Sequence, residues 1–184
     1  MTHGPEIRFR PLELGDLPLL HRWLNETPVV KQFYAHGEAL SHEQILAKYG
    51  PRIRGEQPTR SFLILCDGVE IGYIQTYLWR DYGDLPRSQG LDEEAAGLDL
   101  FIGHPAYLHR GLGRQIMRSF LQGVVFADPV VQSCVLLAEV ANAGALRAYE
   151  KAGFQGLRVL PDLPDEPGPV WLLRIGREEA LALK

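Results

Sequence analysis

What this chain lacks narrows it before any motif is read. Two cysteines, Cys66 and Cys134, occur in 184 residues, each inside an apolar run of strand character. They read as buried free thiols of a reducing compartment, and a single bridge between them is the alternative that sequence leaves open. No apolar run approaches the roughly 20 residues of a membrane span. The opening Met1-Thr-His-Gly-Pro-Glu6 lacks the charged-then-apolar pattern of a secretory signal, so the expected location is cytoplasmic. No basic cluster interleaved with aromatics is present, and a net charge of −4 with a pI near 5.9 argues against a nucleic-acid partner. The six histidines are scattered without His-x-x-x-His or Cys/His spacing, so no metal site is expected. Repeats and low-complexity stretches are absent. The length fits one domain, residues 1–184, with a substantial core and a monomer or homodimer as its state.

Glycine, in contrast, is concentrated where it carries information. The apolar run Gly97-Leu-Asp-Leu-Phe-Ile-Gly103 reads as a strand. It leads to His109-Arg-Gly-Leu-Gly-Arg-Gln115, after which Leu112, Ile116, Met117, Phe120, Leu121 and Val124 recur at helical spacing. Gly111 and Gly113 therefore stand where a strand turns into a helix. Bare backbone there lets a ligand approach, and the free N–H groups and helix dipole favour an anion. A pyrophosphate is the expected guest. A Walker loop is excluded because its lysine is missing, and the dinucleotide fingerprint fails because Ile116 stands at its third glycine.

The remaining elements follow in order. Ile7 to Leu12 reads as a strand, and Asp16 to Leu24 as a helix with Asp16 as its cap. Ser41-x-x-Gln44 is a capping box opening a helix that runs toward Tyr49 and is interrupted at Pro51. Ser61 to Cys66 and Glu70 to Trp79 form two strands joined at Asp67-Gly68, a hairpin signal. Ser133 to Glu139 is a further strand. Phe154 to Leu160 and Val170 to Ile175 close the chain as a strand pair around a Pro/Asp/Gly-rich loop. The pattern predicts a mixed α/β fold with a largely antiparallel central sheet flanked by helices. Trp79 and Trp171 are expected to pack rather than to bind.

Between strand and helix signals lies Asn142-Ala-Gly-Ala-Leu-Arg-Ala-Tyr-Glu-Lys-Ala-Gly-Phe154. Asn142 caps a short helix, Gly153 ends it, and Ala145, Leu146, Tyr149 and Ala152 share one face. Tyr149 thus points inward, either as a core aromatic or as a functional phenol. The loop window Leu108-His-Arg-Gly-Leu-Gly113 resembles the coenzyme A loop of the GNAT superfamily of N-acetyltransferases, Gln/Arg-x-x-Gly-x-Gly/Ala, with leucine at its first position. The Asn142–Phe154 stretch resembles the closing motif of the same superfamily. Ile71-Gly-Tyr-Ile-Gln-Thr-Tyr77, Gly83-Asp84, Gly97-Leu-Asp99 and Trp23-Leu-Asn25 extend the likeness over most of the chain, to the aminoglycoside 6'-N-acetyltransferases.

That resemblance implies a GNAT fold, acetyl-CoA as co-substrate, and acetyl transfer to the 6'-amine of a polycationic drug, with antibiotic resistance as its outcome. It places Phe101, Ile102, His109, Arg110, Gly111, Leu112, Gly113, Arg114, Asn142 and Tyr149 around the coenzyme. Gln75, Tyr77, Asp84, Asp99 and Glu139 line the acceptor side. Asp99 and Tyr149 are the catalytic pair, with Tyr149 protonating the departing thiolate. The segment from Arg80 to Asp99 holds six acids against two bases, a net −4 equal to that of the whole chain. It is either a solvated loop or a receptor for ammonium groups. Asp99, inside an apolar strand, either serves the acceptor or pairs with a buried arginine. Two departures concern the substrate half. Leu137-Ala-Glu-Val-Ala-Asn142 stands where those enzymes carry an acidic Asp-Pro stretch, and Phe33-Tyr34 replaces a double tryptophan. A ribosomal-protein N-terminus, a siderophore hydroxylysine, and a non-catalytic acetyl-CoA-binding role are the alternatives.

Overall fold

The computed structural model describes residues 4–82, 90, 94–161, 163 and 167–183. Seven strands form one sheet in the order β1-β2-β3-β4-β5-β7-β6. They are β1 (Ile7–Pro11), β2 (Arg60–Cys66), β3 (Val69–Leu78), β4 (Ala95–Ile102), β5 (Ser133–Glu139), β6 (Gln155–Leu160) and β7 (Val170–Gly176). The pairs β1–β2, β5–β7 and β6–β7 are antiparallel. Strands β4 and β5 run parallel, and their register covers only Ala95↔Ser133 to Gly97↔Val135. A parallel pair needs a crossover, supplied here by α4 (Leu112–Phe120) and the π turn Leu121–Val125 that extends it. The mixed, largely antiparallel architecture expected from sequence is the one observed.

By its contacts the chain falls into two compact units, residues 1–75 with 100–110, and residues 76–99 with 111–184. The first contains α1 (Leu17–Glu26), α2 (Pro28–Tyr34) and α3 (His42–Ile53). Its core gathers Leu20, Trp23, Leu24, Ile45, Tyr49, Leu63, Tyr73 and Phe101. The second contains α4, α5 (Ala143–Lys151) and α6 (Arg177–Leu181), with Trp79, Ala95, Val135, Leu160 and Leu172 packed together. Among the described residues no helix is long and apolar enough to cross a membrane. Cys66 and Cys134 are both buried free thiols.

Local chemistry explains most boundaries. Asp67 (φ 50) and Gly68 (φ 81) both take left-handed backbone, the geometry that a two-residue hairpin of this twist demands. Ser41 Oγ accepts the Gln44 N–H while Gln44 Oε1 accepts the Ser41 N–H, so the capping box is complete. Two expectations fail. Pro51 does not interrupt α3, which continues to Ile53. Its predecessor is Gly50, and without a Cβ the usual clash that drives a residue before proline out of the helical region is relieved. Asp16 stands at the start of α1 but does not cap it. Its carboxylate instead takes a two-pronged grip from Arg10, at 2.9 and 3.0 Å, and accepts the Glu13 N–H.

Candidate active site

The glycine loop leaves β4 through Gly103, whose N–H, like that of His104, bonds to the Ile71 carbonyl. The His104 ring accepts the Ala106 N–H at 3.2 Å, a turn-forming duty. His109 (φ 58) and Gly111 (φ 73) then take left-handed backbone. A Cβ at Gly111 would meet nothing within 4 Å, so the space over this residue is open. Gly111 is also the N-cap of α4, and no side chain caps that helix. The first-turn amides of Leu112, Gly113 and Arg114 are thus left to an external acceptor. Arg114 is exposed, and exposed Arg110 stacks its guanidinium over Tyr107 at 5.3 Å. Gly113 has a different task, because a Cβ there would touch Ala148 of α5 at 3.5 Å. An uncapped helix start, open backbone and two cations suit a pyrophosphate such as that of coenzyme A.

Tyr149 comes from α5. Asn142 Oδ1 accepts the Ala145 N–H at 3.1 Å, and Gly153 (φ 94) terminates the helix as expected. Asn142 therefore spends its side-chain oxygen on the cap. Tyr149 is buried, 9% exposed, and its ring tilts against Phe154. Burial first, then the charge of Asp99, raise its phenol well above the ordinary range. The same two causes raise the Cys134 thiol on β5. Asp99 itself is half-buried on β4, and its charge acts on both Tyr149 and Cys134. The arrangement keeps a proton on Tyr149 at neutral pH, as a proton donor requires.

The acceptor-side residues are placed unevenly. Tyr77 is half-buried, and a Cβ on Gly97 would lie only 2.2 Å from its ring. Gly97 is therefore the seat of Tyr77, two positions before Asp99 on the same face of β4. Thr76 Oγ1 donates to the Gly97 carbonyl at 2.8 Å, fixing this approach. Tyr77 meets Trp79 and Tyr82 edge-on, at 5.4 and 4.8 Å between ring centres. Trp79 packs as expected, its Nε1 donating to the Val135 carbonyl. Glu139 is half-buried at the end of β5, opposite Val170. Asp84 lies outside the described residues. Within the acidic segment, both Glu94 oxygens accept Arg80 at 3.1 Å.

Gln75 belongs to a network in the first unit that the sequence did not announce. Its Oε1 accepts Arg52 at 2.7 Å and the Tyr73 hydroxyl at 2.6 Å, and Tyr73 meets Ser61 at 2.8 Å. The Arg52 guanidinium also covers the Tyr49 ring at 5.3 Å. Phe101 packs in the core of that unit, against Tyr34, Trp23 and Tyr73. Ile102, half-buried, is the last residue of β4.

The sequence model of the acetyltransferase (GNAT) domain matches residues 13–160. Aminoglycoside N(6')-acetyltransferase type 1 of Klebsiella pneumoniae is 28% identical over 160 residues, covering 86% of this chain and 79% of that protein. A kanamycin resistance protein of Rhizobium radiobacter is 35% identical over 75 residues, 40% of this chain and 68% of that one. The crystal structure of aminoglycoside acetyltransferase AAC(6')-Ib with coenzyme A and kanamycin superposes with a TM-score of 0.83. It is 25% identical and matches 95% of this chain and 96% of its own. Spermidine N-acetyltransferase of Vibrio cholerae shares the fold at a TM-score of 0.73, with 20% identity over 95% of this chain and 98% of its own. With a match spanning most of its length, this chain belongs to the GNAT family of acetyltransferases.

Proposed function

We propose that this protein acetylates the 6'-amine of an aminoglycoside, with acetyl-CoA as donor and residues 1–184 acting as a single transferase domain. The observation that carries the reading is the pairing of a half-buried carboxylate, Asp99, with a buried phenol, Tyr149, whose proton that carboxylate helps to retain. Support for the acceptor comes from the relatives, named as 6'-acetyltransferases of aminoglycosides, one of them solved with kanamycin. They favour a drug over a peptide N-terminus or a hydroxylysine.

Acetyl-CoA supplies the acyl group as an activated thioester. The backbone of Gly111, Leu112 and Gly113, with Arg110 and Arg114, would hold its pyrophosphate, and His109, Phe101, Ile102 and Asn142 are assigned to the coenzyme. Asp99 attracts the ammonium end of the acceptor and takes the proton that the amine must lose before it is a nucleophile. Glu139, Tyr77 and Gln75 are assigned to the rest of the acceptor, and Asp84 adds a second carboxylate. As the new N–C bond forms and the C–S bond breaks, Tyr149 gives its proton to the leaving sulfur.

The test is release of free thiol from acetyl-CoA over kanamycin-type drugs, polyamines, hydroxylysine and N-terminal peptides, with a no-acceptor control to subtract any signal from Cys66 and Cys134. Selective turnover of the drugs supports the proposal. Turnover of peptides or polyamines with none of the drugs refutes the acceptor.

A further inference from the structure

Gln122 stands inside the π turn that extends α4, where the Phe126 N–H closes back on the Leu121 carbonyl at 2.8 Å. Turns of this width are rare in helices and recur where a helix has a task beyond packing. The half-buried Gln122 amide donates to two backbone carbonyls, Ala180 at 3.0 Å and Leu183 at 3.1 Å. These lie at and just beyond the last turn of α6, where the regular ladder of a helix runs out. With five residues, α6 is too short to hold its shape without tertiary help. One side-chain amide therefore fixes where Leu183 stands.

The segment held in this way packs against the helix that carries Tyr149. Gly153 ends α5 with φ 94, and a Cβ there would meet Leu183 Cδ2 at 3.3 Å and Ile175 Cδ1 of β7 at 3.2 Å. Leu183 and Ile175 thus lie directly over the end of α5. The backbone beside them fixes Tyr149, whose carbonyl accepts the Ala152 and Phe154 N–H groups, each at 3.0 Å. Ala152 is fully buried, and Phe154 sets its ring against that of Tyr149 at 6.2 Å between centres. Gln122, Leu183, Gly153 and Tyr149 form one chain of contacts, and all four belong to the second unit.

We propose that Gln122 is a positioning residue of the transferase: by holding the Ala180 and Leu183 carbonyls it seats Leu183 on Gly153, and so sets the end of α5 from which Tyr149 projects. This rests on the reading of Tyr149 as proton donor to the leaving sulfur. Such a donor works only within hydrogen-bond reach, and a misplacement of about 1 Å costs up to roughly 10²-fold in rate. Without the amide, the two carbonyls turn to water, Leu183 is released from Gly153, and the end of α5 gains room to move.

Two variants of the full-length protein test separate links of this chain. Gln122→Met keeps the side-chain length and removes both donors, while Leu183→Ala keeps the carbonyls and removes the contact with Gly153. Amide exchange at Phe154, read by NMR without substrates, should quicken by about tenfold or more in each. Each should lower kcat by roughly 10-fold with both KM values held within about twofold. Combined with Tyr149→Phe, either should change kcat by less than about twofold further, because groups that act in one step are not additive. An equal kcat loss with and without the Tyr149 hydroxyl, unchanged exchange at Phe154, or a kcat within about twofold of wild type in either folded variant would overturn the proposal. Should Gln122→Met fail to fold, Leu183→Ala carries the same cycle. A normal kcat in Tyr149→Phe alone would refute the proton donor and the proposal with it. A loss there, with none in Gln122→Met, would refute the positioning role and leave the donor standing. The kcat is read on whichever amine the wild type acetylates, so the identity of the acceptor does not enter.

Discussion

At the scale of single residues, burial and the charge of Asp99 set the protonation of Tyr149. Burial and a neighbouring negative charge both favour the neutral phenol, so Tyr149 keeps its proton beyond the pH at which tyrosine ordinarily ionises. Tyr149→Phe should therefore lower kcat by about 10²-fold or more, with the acetyl-CoA KM little changed, as steady-state kinetics would show. The same raised values have a consequence for stability. The unfolded chain releases the Cys134 and Tyr149 protons near their ordinary values of 9.0 and 10.0, while the folded chain retains them. Their contribution is complete below about pH 9 and is lost as the pH climbs beyond it. Melting temperature should fall above that pH more steeply in the wild type than in a Cys134→Ala, Tyr149→Phe double variant. The inward direction of Tyr149 was legible because helical spacing alone puts it beside Ala145 and Ala152. The commitment of the Gln75 oxygen was not, because Arg52, its partner, is 23 residues away in sequence and carries no local signal.

At the scale of elements, glycines divide into those that free the backbone and those that admit a neighbour. Gly111 is of the first kind. Its left-handed φ of 73 makes Gly111→Val strained by roughly 1–2 kcal/mol, and the added side chain fills the open space over the helix start. A rise of acetyl-CoA KM with little change for the acceptor is expected from initial-rate measurements. Gly97 is of the second kind, since Tyr77 occupies the place of its Cβ. Gly97→Ala should destabilise the fold by about 1–3 kcal/mol and raise acceptor KM. Combining it with Tyr77→Ala should recover much of the stability, as a denaturant-melt cycle would reveal. Sequence reading located the hairpin at Asp67-Gly68, the box at Ser41 and the full extent of β5, because each is decided by residues within one turn. It gave no sign of α2 or α6, of seven and five residues, since neither is long enough to show a period. It also stopped α3 at Pro51 by treating proline apart from the glycine before it.

At the scale of the whole molecule, the fold class was legible and the strand order was not. Alternating strands and helices predict a mixed sheet, but β7 enters between β5 and β6, and β4 pairs with β5 in parallel through contacts distant in sequence. The proposed acceptor residues belong to this scale too, because Asp99, Tyr77 and Glu139 come from different strands and Asp84 lies outside the described residues. The account makes one central claim, that the chain acetylates a 6'-amine. Its most direct test is the kcat/KM of the wild type for an aminoglycoside with a 6'-amino group against an otherwise matched compound with a 6'-hydroxyl, the product being located by NMR. The account predicts turnover of the first alone, with the acetyl group on the 6'-nitrogen. Equal turnover of both, or acetylation at another amine, would contradict it.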